Sequence, residues 1–268
     1  MPHELLLFAQ LPNSRLEQLL NIVAGIAGAQ PQRVIERHVV YRPQRDPVQR
    51  QYAVGASQNV QTTQRATSRE QLSKDMFYWQ TVKELDEAEF GSAQADGAAS
   101  TEHAPKEKAN PDAERKGWAV QFQDIPEAGQ RPVTTRWVQT TDLIAGNPHA
   151  HMKATMYNYV SEYIDEGFQF VHKNATILLH RILRFPSLEQ SRDSPLESLP
   201  PFKDLQPLDK SSAYVVQVSI KIQDNYKPET REKAQAELLA LKGTLKGVID
   251  LEPAERLALD TRVKARPG

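Results

Sequence analysis

Apolar and polar residues alternate along much of this chain, which is the pattern of β-strands with one buried face. The alternation is clearest at residues 214–222, where Val216, Val218, Ile220 and Ile222 share one face. The same pattern, or a short apolar run, predicts further strands at residues 4–11, 32–41, 76–82, 118–124, 133–140, 155–164, 168–172 and 176–183, and less distinctly at 51–54. Links at 126–131 and 173–174 predict two hairpins, and Glu166-Gly167 predicts a bend.

Helical periodicity appears near the start of the chain. Ser14 stands three residues before Glu17, which is the spacing of a capping box at a helix N-terminus. Gly28 is typical of the residue that ends a helix. The predicted apolar face between them is Leu16, Leu19, Leu20, Val23 and Ala27.

A second helix is predicted near the end, starting at Pro228. Its apolar stripe is Leu238, Leu241, Leu245 and Val248. Gly243 and Gly247 weaken it after Leu241, by about 1 kcal/mol each relative to alanine. Residues 252–258 predict one more short helical stretch.

Two stretches lack either pattern. Residues 86–116 are rich in Ala, Glu, Lys, Gly, Ser and Pro, and they cannot bury enough apolar surface to offset the entropy of ordering. We interpret them as a disordered insertion, and residues 187–210 as a long proline-rich loop. The rest predicts one domain over 1–268 in the mostly β (α+β) class. Its architecture is a closed or nearly closed antiparallel β-barrel with flanking N- and C-terminal helices.

Composition excludes several classes of site and partner. The 268 residues contain no cysteine, so disulfides, thiolate zinc sites and cysteine nucleophiles are ruled out. The net charge of -1 gives no electrostatic signature of nucleic-acid or membrane binding. The mean hydropathy of -0.58 is low, as expected if polar insertions dilute a normal core. The N-terminus shows no secretory signal, so we expect a nuclear or cytoplasmic protein.

The histidines offer little chemistry. His149 and His151 follow Asn147-Pro148, which predicts a turn, and they could form a metal pair or two solvated loop side chains. We favour the second interpretation, because zinc needs three or four ligands and no second cluster is evident. His38 and His180 lie on predicted strands, where a buried, hydrogen-bonded role is favoured over catalysis. Phosphate-binding, dinucleotide-binding and nucleophile-elbow motifs do not occur.

Several stretches resemble one protein family. They are His3-Glu4-Leu5-Leu6-Leu7-Phe8-Ala9, residues 30–38, Glu166-Gly167-Phe168, His180-Arg181-Ile182-Leu183, and residues 241–251 and 260–263. On these residues the chain is similar to the fungal form of the β-barrel subunit of the Mediator head module, subunit eighteen. The resemblance implies a noncatalytic barrel without a cofactor, similar to the barrel of tunnel-type RNA triphosphatases.

Those triphosphatases line the lumen with carboxylates two residues apart on a strand, because that spacing aims both at one metal ion. No strand predicted here carries such a Glu-x-Glu pair. Glu36 and Glu162 each stand alone on their strands. We therefore expect no catalytic residue, no metal site and no enzymatic activity.

Three features could report partner binding. Tyr157, Tyr159 and Tyr163 alternate on one predicted face, and aromatic side chains with polar tips are enriched at interfaces. We predict them as partner-binding residues, with an ordinary barrel face as the alternative. Residues 250–263 could dock on the barrel or contact a partner. A basic stretch could touch RNA or an acidic partner, although a solvated face is favoured; it comprises Arg33, Arg37, Arg42, Arg45 and Arg50.

The resemblance implies specific partners and a nuclear location. It implies a heterodimer with the related barrel subunit (subunit twenty) and capture of a C-terminal helix from subunit eight. It also implies contacts with the other head-module subunits and RNA polymerase II, without direct DNA or membrane binding. The expected function is that of a noncatalytic structural subunit of the Mediator transcription coactivator. The alternatives are a divergent triphosphate-tunnel phosphohydrolase and an RNA-binding barrel.

Overall fold

The computed structural model describes residues 2–44, 76–91, 117–129, 131–186, 193–223 and 227–264. Its strands are β1 (His3–Leu11), β2 (Gln32–Pro43), β3 (Trp79–Glu84), β4 (Ala119–Gln123), β5 (Thr134–Asp142), β6 (Tyr157–His172), β7 (Ala175–Arg184), β8 (Gln206–Pro207) and β9 (Tyr214–Ile222). Its α-helices are α1 (Leu16–Ala27), α2 (Pro148–Ala154) and α3 (Pro228–Leu245). The strand predicted at 51–54, Arg45 and Arg50 lie outside the described residues.

Eight antiparallel strands close into a barrel. Neighbouring strands follow the order β6-β2-β3-β4-β5-β1-β9-β7, and β7 pairs again with β6 to complete the ring. The two-residue strand β8 adds to the outside of β7 through Leu183 and Arg184. Both predicted hairpins, β4–β5 and β6–β7, are present. The predicted closed barrel with helices near both chain ends is therefore confirmed.

The largest apolar cluster lies outside the barrel, beneath α1 and α3. On β1, Leu5 and Leu7 are fully buried against these helices, whereas the intervening side chains face the lumen. The helices contribute Leu19, Val23, Leu238, Leu241 and Leu245. Burying each such side chain stabilises the fold by roughly 1.5–3 kcal/mol. Because the apolar faces of β1, β7 and β9 point outward, most of the polar residues of the alternation lie on the lumen side, together with a few apolar ones such as Leu6.

The ends of the two long helices only partly match the prediction. A 3-10 turn at Asn13–Arg15 precedes α1. Within residues 2–44, no side chain caps the N-terminus of this turn or that of α1, so the predicted Ser14–Glu17 capping box is wrong. Gly28 does end α1, with a φ of 66° that glycine adopts at little cost. The helix α3 continues past Gly243 to Leu245, which is buried. Tertiary packing therefore outweighs the low helix propensity of glycine there.

Two other local predictions are wrong for identifiable reasons. Asn147-Pro148 is the start of α2 rather than an isolated turn, because the Asn147 side chain accepts hydrogen bonds from the amides of His149 and Ala150. The strand β6 runs unbroken through Gly167, so no bend occurs there. A Cβ at Gly167 would lie 2.4 Å from the Leu179 carbonyl oxygen. Glycine is therefore needed for close strand approach at this position.

The two patternless stretches contain folded parts. Residues 86–91 are ordered around a 3-10 turn at Glu87–Glu89, so the predicted insertion starts too early. Residues 92–116 lie outside the described part of the chain. Residues 193–207, which we call the strap, cross the outer wall of the barrel and include a 3-10 turn at Phe202–Asp204 and β8. None of the described helices is long and apolar enough to span a membrane.

Candidate functional site

The barrel lumen is lined by polar and charged side chains from most of its strands. A cavity of about 540 Å³ opens where Glu36, Glu84, Asp142 and Lys221 meet. Its polar lining also includes Gln32, Gln121, Thr140 and Gln169. These residues come from opposite sides of the closed ring, so the cavity is the mouth of the lumen.

Deeper in the lumen, two carboxylates are bonded to neighbouring side chains. Arg136 donates to Glu4 Oε2 from Nε and Nη2, at 3.2 and 3.0 Å, and to Gln123 Oε1 at 2.9 Å. His180 Nδ1 lies 2.8 Å from both carboxylate oxygens of Asp165. Because both carboxylates already have partners, they are less available to hold an external cation.

His38 joins β2, β3 and β6 inside the lumen. Its Nδ1 lies 2.9 Å from Gln80 Oε1 and its Nε2 lies 3.3 Å from Glu36 Oε2. Its ring stacks on Tyr163 with centroids 4.9 Å apart, because the two residues are directly opposite across β2 and β6. Burial by itself lowers the pKa of His38, but the carboxylates of Glu36 and Asp165 outweigh burial, so the pKa is raised. The predicted buried, hydrogen-bonded role of His38 is therefore confirmed.

The two acids singled out from the sequence lie on opposite faces of the wall. Glu36 faces the lumen, whereas Glu162 lies outside beneath the strap, bonded to Arg37. The β2–β6 register places Asp165 opposite Glu36, a luminal acid that the sequence analysis missed. Because alternate residues of a strand share a face, counting two residues on from Tyr163 would have identified Asp165. Among the described residues, no group of three or more histidines and carboxylates is placed to hold a metal ion. The expectation that the protein has no metal site and no catalytic residue stays a prediction.

His149 and His151 lie on α2 and not in a loop. Residues two apart on a helix do not face one another, so they do not form a metal pair. The His149 ring lies 5.9 Å from the Tyr41 ring. Burial, with a smaller contribution from Lys153, lowers the pKa of His149.

The three tyrosines predicted as a partner-binding face do not share a face. The β2–β6 register shifts between Val40 and Tyr41, which leaves Val160 as an extra residue in β6. This bulge reverses the alternation, so Tyr157 and Tyr159 lie outside while Tyr163 lies in the lumen. A one-residue bulge leaves no signal in apolar periodicity, and the single-face prediction is wrong for this reason.

Tyr157 lines a groove on the outer wall, which we call the aromatic groove. It has a volume of about 540 Å³ and is lined by Pro43, Gln44, Met76, Phe77, Trp79, Phe122, Trp137, Thr155, Met156 and Tyr157. Its rings contact one another, with centroids 5.2 Å apart for Phe77–Phe122 and 6.1 Å apart for Trp79–Tyr157. Met156 is 60% exposed at its edge, and none of these described lining residues is charged. Aromatic and methionine side chains are the types enriched at protein interfaces.

A second groove, the end groove, lies where β7 turns away from β9. It has a volume of about 590 Å³, and its apolar lining includes Phe8, Ile182, Pro207, Leu208, Tyr214 and Val215. Leu208 and Val215 are 60% and 40% exposed. The acidic residues Asp209 and Glu252 also line it. An apolar floor with acidic neighbours suits a helix with one apolar face and basic flanks.

Two arginines of the basic stretch are engaged in ion pairs. Arg33 donates to Glu87 and Glu166 at 2.5 and 3.0 Å, and Arg37 donates to Glu162. These two side chains are therefore less available to an RNA backbone.

The C-terminal stretch docks on the barrel. The backbones of Glu252 and Phe8 exchange hydrogen bonds of 2.7 and 2.8 Å, and Arg262 forms a bridge with Phe77. Of the two interpretations of residues 250–263, the intramolecular one is therefore observed.

Comparison with known proteins assigns the family. The model of the Med18 protein family matches residues 3–262. This chain belongs to the Med18 family. Its Med18 relatives include subunit 18 of the Mediator of RNA polymerase II transcription from Aspergillus fumigatus, which is 38% identical over 270 residues, 98% of this chain and 100% of that protein. The Aspergillus oryzae subunit 18 is 36% identical over 272 residues, with the same coverage.

The Med18 fold is also seen in a solved structure. A chain in the Schizosaccharomyces pombe Mediator head module superposes with a TM-score of 0.62 at 18% identity, covering 94% of this chain and 98% of that one. The family resemblance found in the sequence is confirmed.

Proposed function

We propose that this chain is a noncatalytic structural subunit of the Mediator head module that supports RNA polymerase II transcription through protein–protein assembly in the nucleus. The observation that carries the proposal is end-to-end similarity to relatives named as Mediator subunit 18. The paired luminal charges support the noncatalytic part of the proposal, because Glu4 and Asp165 already bind Arg136 and His180. The chain's effect on transcription comes from positioning the head module against the polymerase.

The related barrel subunit, subunit twenty, occupies the aromatic groove in this proposal. The groove suits a stable heterodimer because its ten lining residues are uncharged and rich in aromatic side chains. Burying them against a partner leaves no unpaired charge behind. Of the three tyrosines predicted from the sequence, this proposal assigns the contact to Tyr157, because Tyr157 lines the groove.

The C-terminal helix of subunit eight occupies the end groove. Leu208 and Val215 offer exposed apolar surface for anchors at i, i+3 and i+4 of a helix. Asp209 complements a basic residue flanking those anchors, whereas Glu252 already pairs with Lys242 at 2.8 Å.

Co-expression with the other head-module subunits, followed by pull-down and size exclusion at high salt, tests the proposal. We expect a stoichiometric complex with subunits eight and twenty. Tyr157→Ala should weaken only the barrel–barrel contact, by 10-fold or more, whereas Leu208→Asp should weaken only helix capture. Tyr163→Phe, which changes a luminal hydroxyl, is the matched control and should leave both contacts intact.

Three outcomes would count against the proposal. A monomer that ignores both partners would remove the assembly role. Phosphate release from a triphosphate with magnesium or manganese, abolished by Glu36→Ala, would instead favour a tunnel hydrolase. Equal loss with Tyr157→Ala and Tyr163→Phe would show that the aromatic groove is not the contact surface.

A further inference from the structure

The strap is held on the barrel wall by a repeating set of apolar side chains. Leu196, Leu199, Phe202 and Leu205 stand three residues apart and all join one apolar cluster with β2, β6 and β7. Polyproline II and 3-10 backbones both have about three residues per turn, so every third side chain faces the same way. Pro201 and Leu205 have φ and ψ of -54° and 138°, and -68° and 143°, which lie in the polyproline II region.

The wall also binds the backbone of the strap. Glu162 Oε1 accepts a hydrogen bond from the Leu196 amide at 2.7 Å, and Arg37 Nη2 donates to the Leu196 carbonyl at 2.6 Å. Arg37 and Glu162 are bonded to each other and are almost completely buried. Further along, the Gly91 amide donates to the Leu199 carbonyl at 3.0 Å. These contacts do not depend on the strap's side chains, so they would hold any extended peptide in this register.

The remaining contacts define what chemistry the wall selects. The Phe202 ring lies between the Arg33 guanidinium, 5.3 Å from its centroid, and the Phe90 ring at 5.1 Å. At the far end, β8 extends the sheet beside β7, as added strands do in peptide recognition. Apolar contacts at every third residue, three hydrogen bonds to the strap backbone and a terminal strand pairing together form a built peptide site.

We propose that this wall is a docking groove for a proline-spaced peptide that has a large apolar residue at every third position and takes the strap's own mixture of polyproline II and 3-10 backbone. The strap is its resident intrachain ligand and therefore an autoinhibitory contact. A segment of the same chemistry supplied in trans, from a partner, takes the groove when the strap is displaced. This inference does not use the aromatic groove assigned above to subunit twenty, but Pro207 belongs both to the strap and to the end groove assigned to subunit eight.

Trans-complementation with the strap peptide tests the proposal. Leu199→Asp in the full chain places a charge in the apolar cluster and should release the strap while circular dichroism shows an intact barrel. A fluorescein-labelled peptide of residues 193–207, measured by anisotropy, should bind this variant at least 10-fold more tightly than the unmodified chain. The same peptide carrying Phe202→Ala should lose at least 10-fold in affinity.

The control variant is Val171→Asp, which introduces the same charge at an exposed position away from the strap. It should bind the peptide as weakly as the unmodified chain. If Leu199→Asp fails to fold, Leu196→Ser provides a milder release with the same expected gain in peptide binding. A folded, strap-weakened variant that binds the peptide no better than the control would overturn the proposal.

Discussion

Glu162 lies between the barrel wall and the strap, with its side chain fully enclosed. Its Oε2 accepts from Arg37 Nε and Nη2 at 3.0 and 2.6 Å, and its Oε1 accepts from the Leu196 amide. Glu162→Gln keeps the shape but replaces one acceptor oxygen by an N–H donor. Either orientation of the amide then faces a donor, and the buried Arg37 cation loses the negative charge of Glu162.

The expected cost is large because the site is enclosed. Removing one partner of a buried ion pair typically costs about 3–5 kcal/mol, a substantial part of the 5–15 kcal/mol that stabilises a typical domain. The melting temperature should fall by roughly 6–20 °C, at about 2–4 °C per kcal/mol for a chain of comparable size. The free energy of unfolding is measured by urea denaturation of the full chain.

The matched control is Glu87→Gln. Glu87 also pairs with an arginine, Arg33, but the two side chains are 55% and 40% exposed. Solvent screening limits such a pair to about 0–1 kcal/mol, and added salt weakens it further. The loss in Glu162→Gln should persist in salt. If both variants lose the same free energy within about 1 kcal/mol, the clamp does not stabilise the strap as argued.

Two further predictions concern the lumen. Because the pKa of His38 is raised in the folded state, its charge stabilises the fold below pH 6.5, and this contribution disappears as pH rises through the folded pKa. The stability advantage of the unmodified chain over His38→Gln should therefore shrink as the pH rises above 6.5 and through the raised folded pKa in urea titrations, and a constant difference would contradict the assignment. Gly167→Ala should destabilise the chain by about 1–3 kcal/mol or more, because the added Cβ would meet the backbone of β7. Gly25→Ala, which has open space around it in α1, should instead stabilise the chain by up to about 1 kcal/mol. Thermal melts that show equal effects of the two substitutions would refute this account.

Local patterns were enough to predict most strands and both long helices. Residues 214–222 alternate cleanly and form β9 at those bounds. Gly28 ends α1 because glycine readily adopts the positive φ that this position requires. Such features depend on neighbours along the chain, which a sequence displays directly. The order of strands and helices indicated a closed or nearly closed barrel, and the family resemblance implied the same architecture independently.

The site residues depended on tertiary structure to a much greater degree. Tyr157 and Tyr163 alternate in sequence, yet the bulge at Val160 sends them to opposite faces. The sequence indicated that residues 187–210 form a proline-rich loop. It did not indicate which part of the barrel wall the apolar residues of the strap contact. Leu196 meets Glu162 across 34 positions and Arg37 across 159.

What the sequence determined by itself was therefore the alternation of buried and exposed positions, the helix ends set by glycine and proline, and the absence of cysteine chemistry. What only the tertiary structure decided was which face became the lumen, which charges meet, and which grooves remain open. The physical reason is that periodicity records burial, a property of each residue with its near neighbours. Strand pairing depends on register and on closure of the barrel. One inserted residue can reverse which face the side chains lie on without changing the alternation on either side of it.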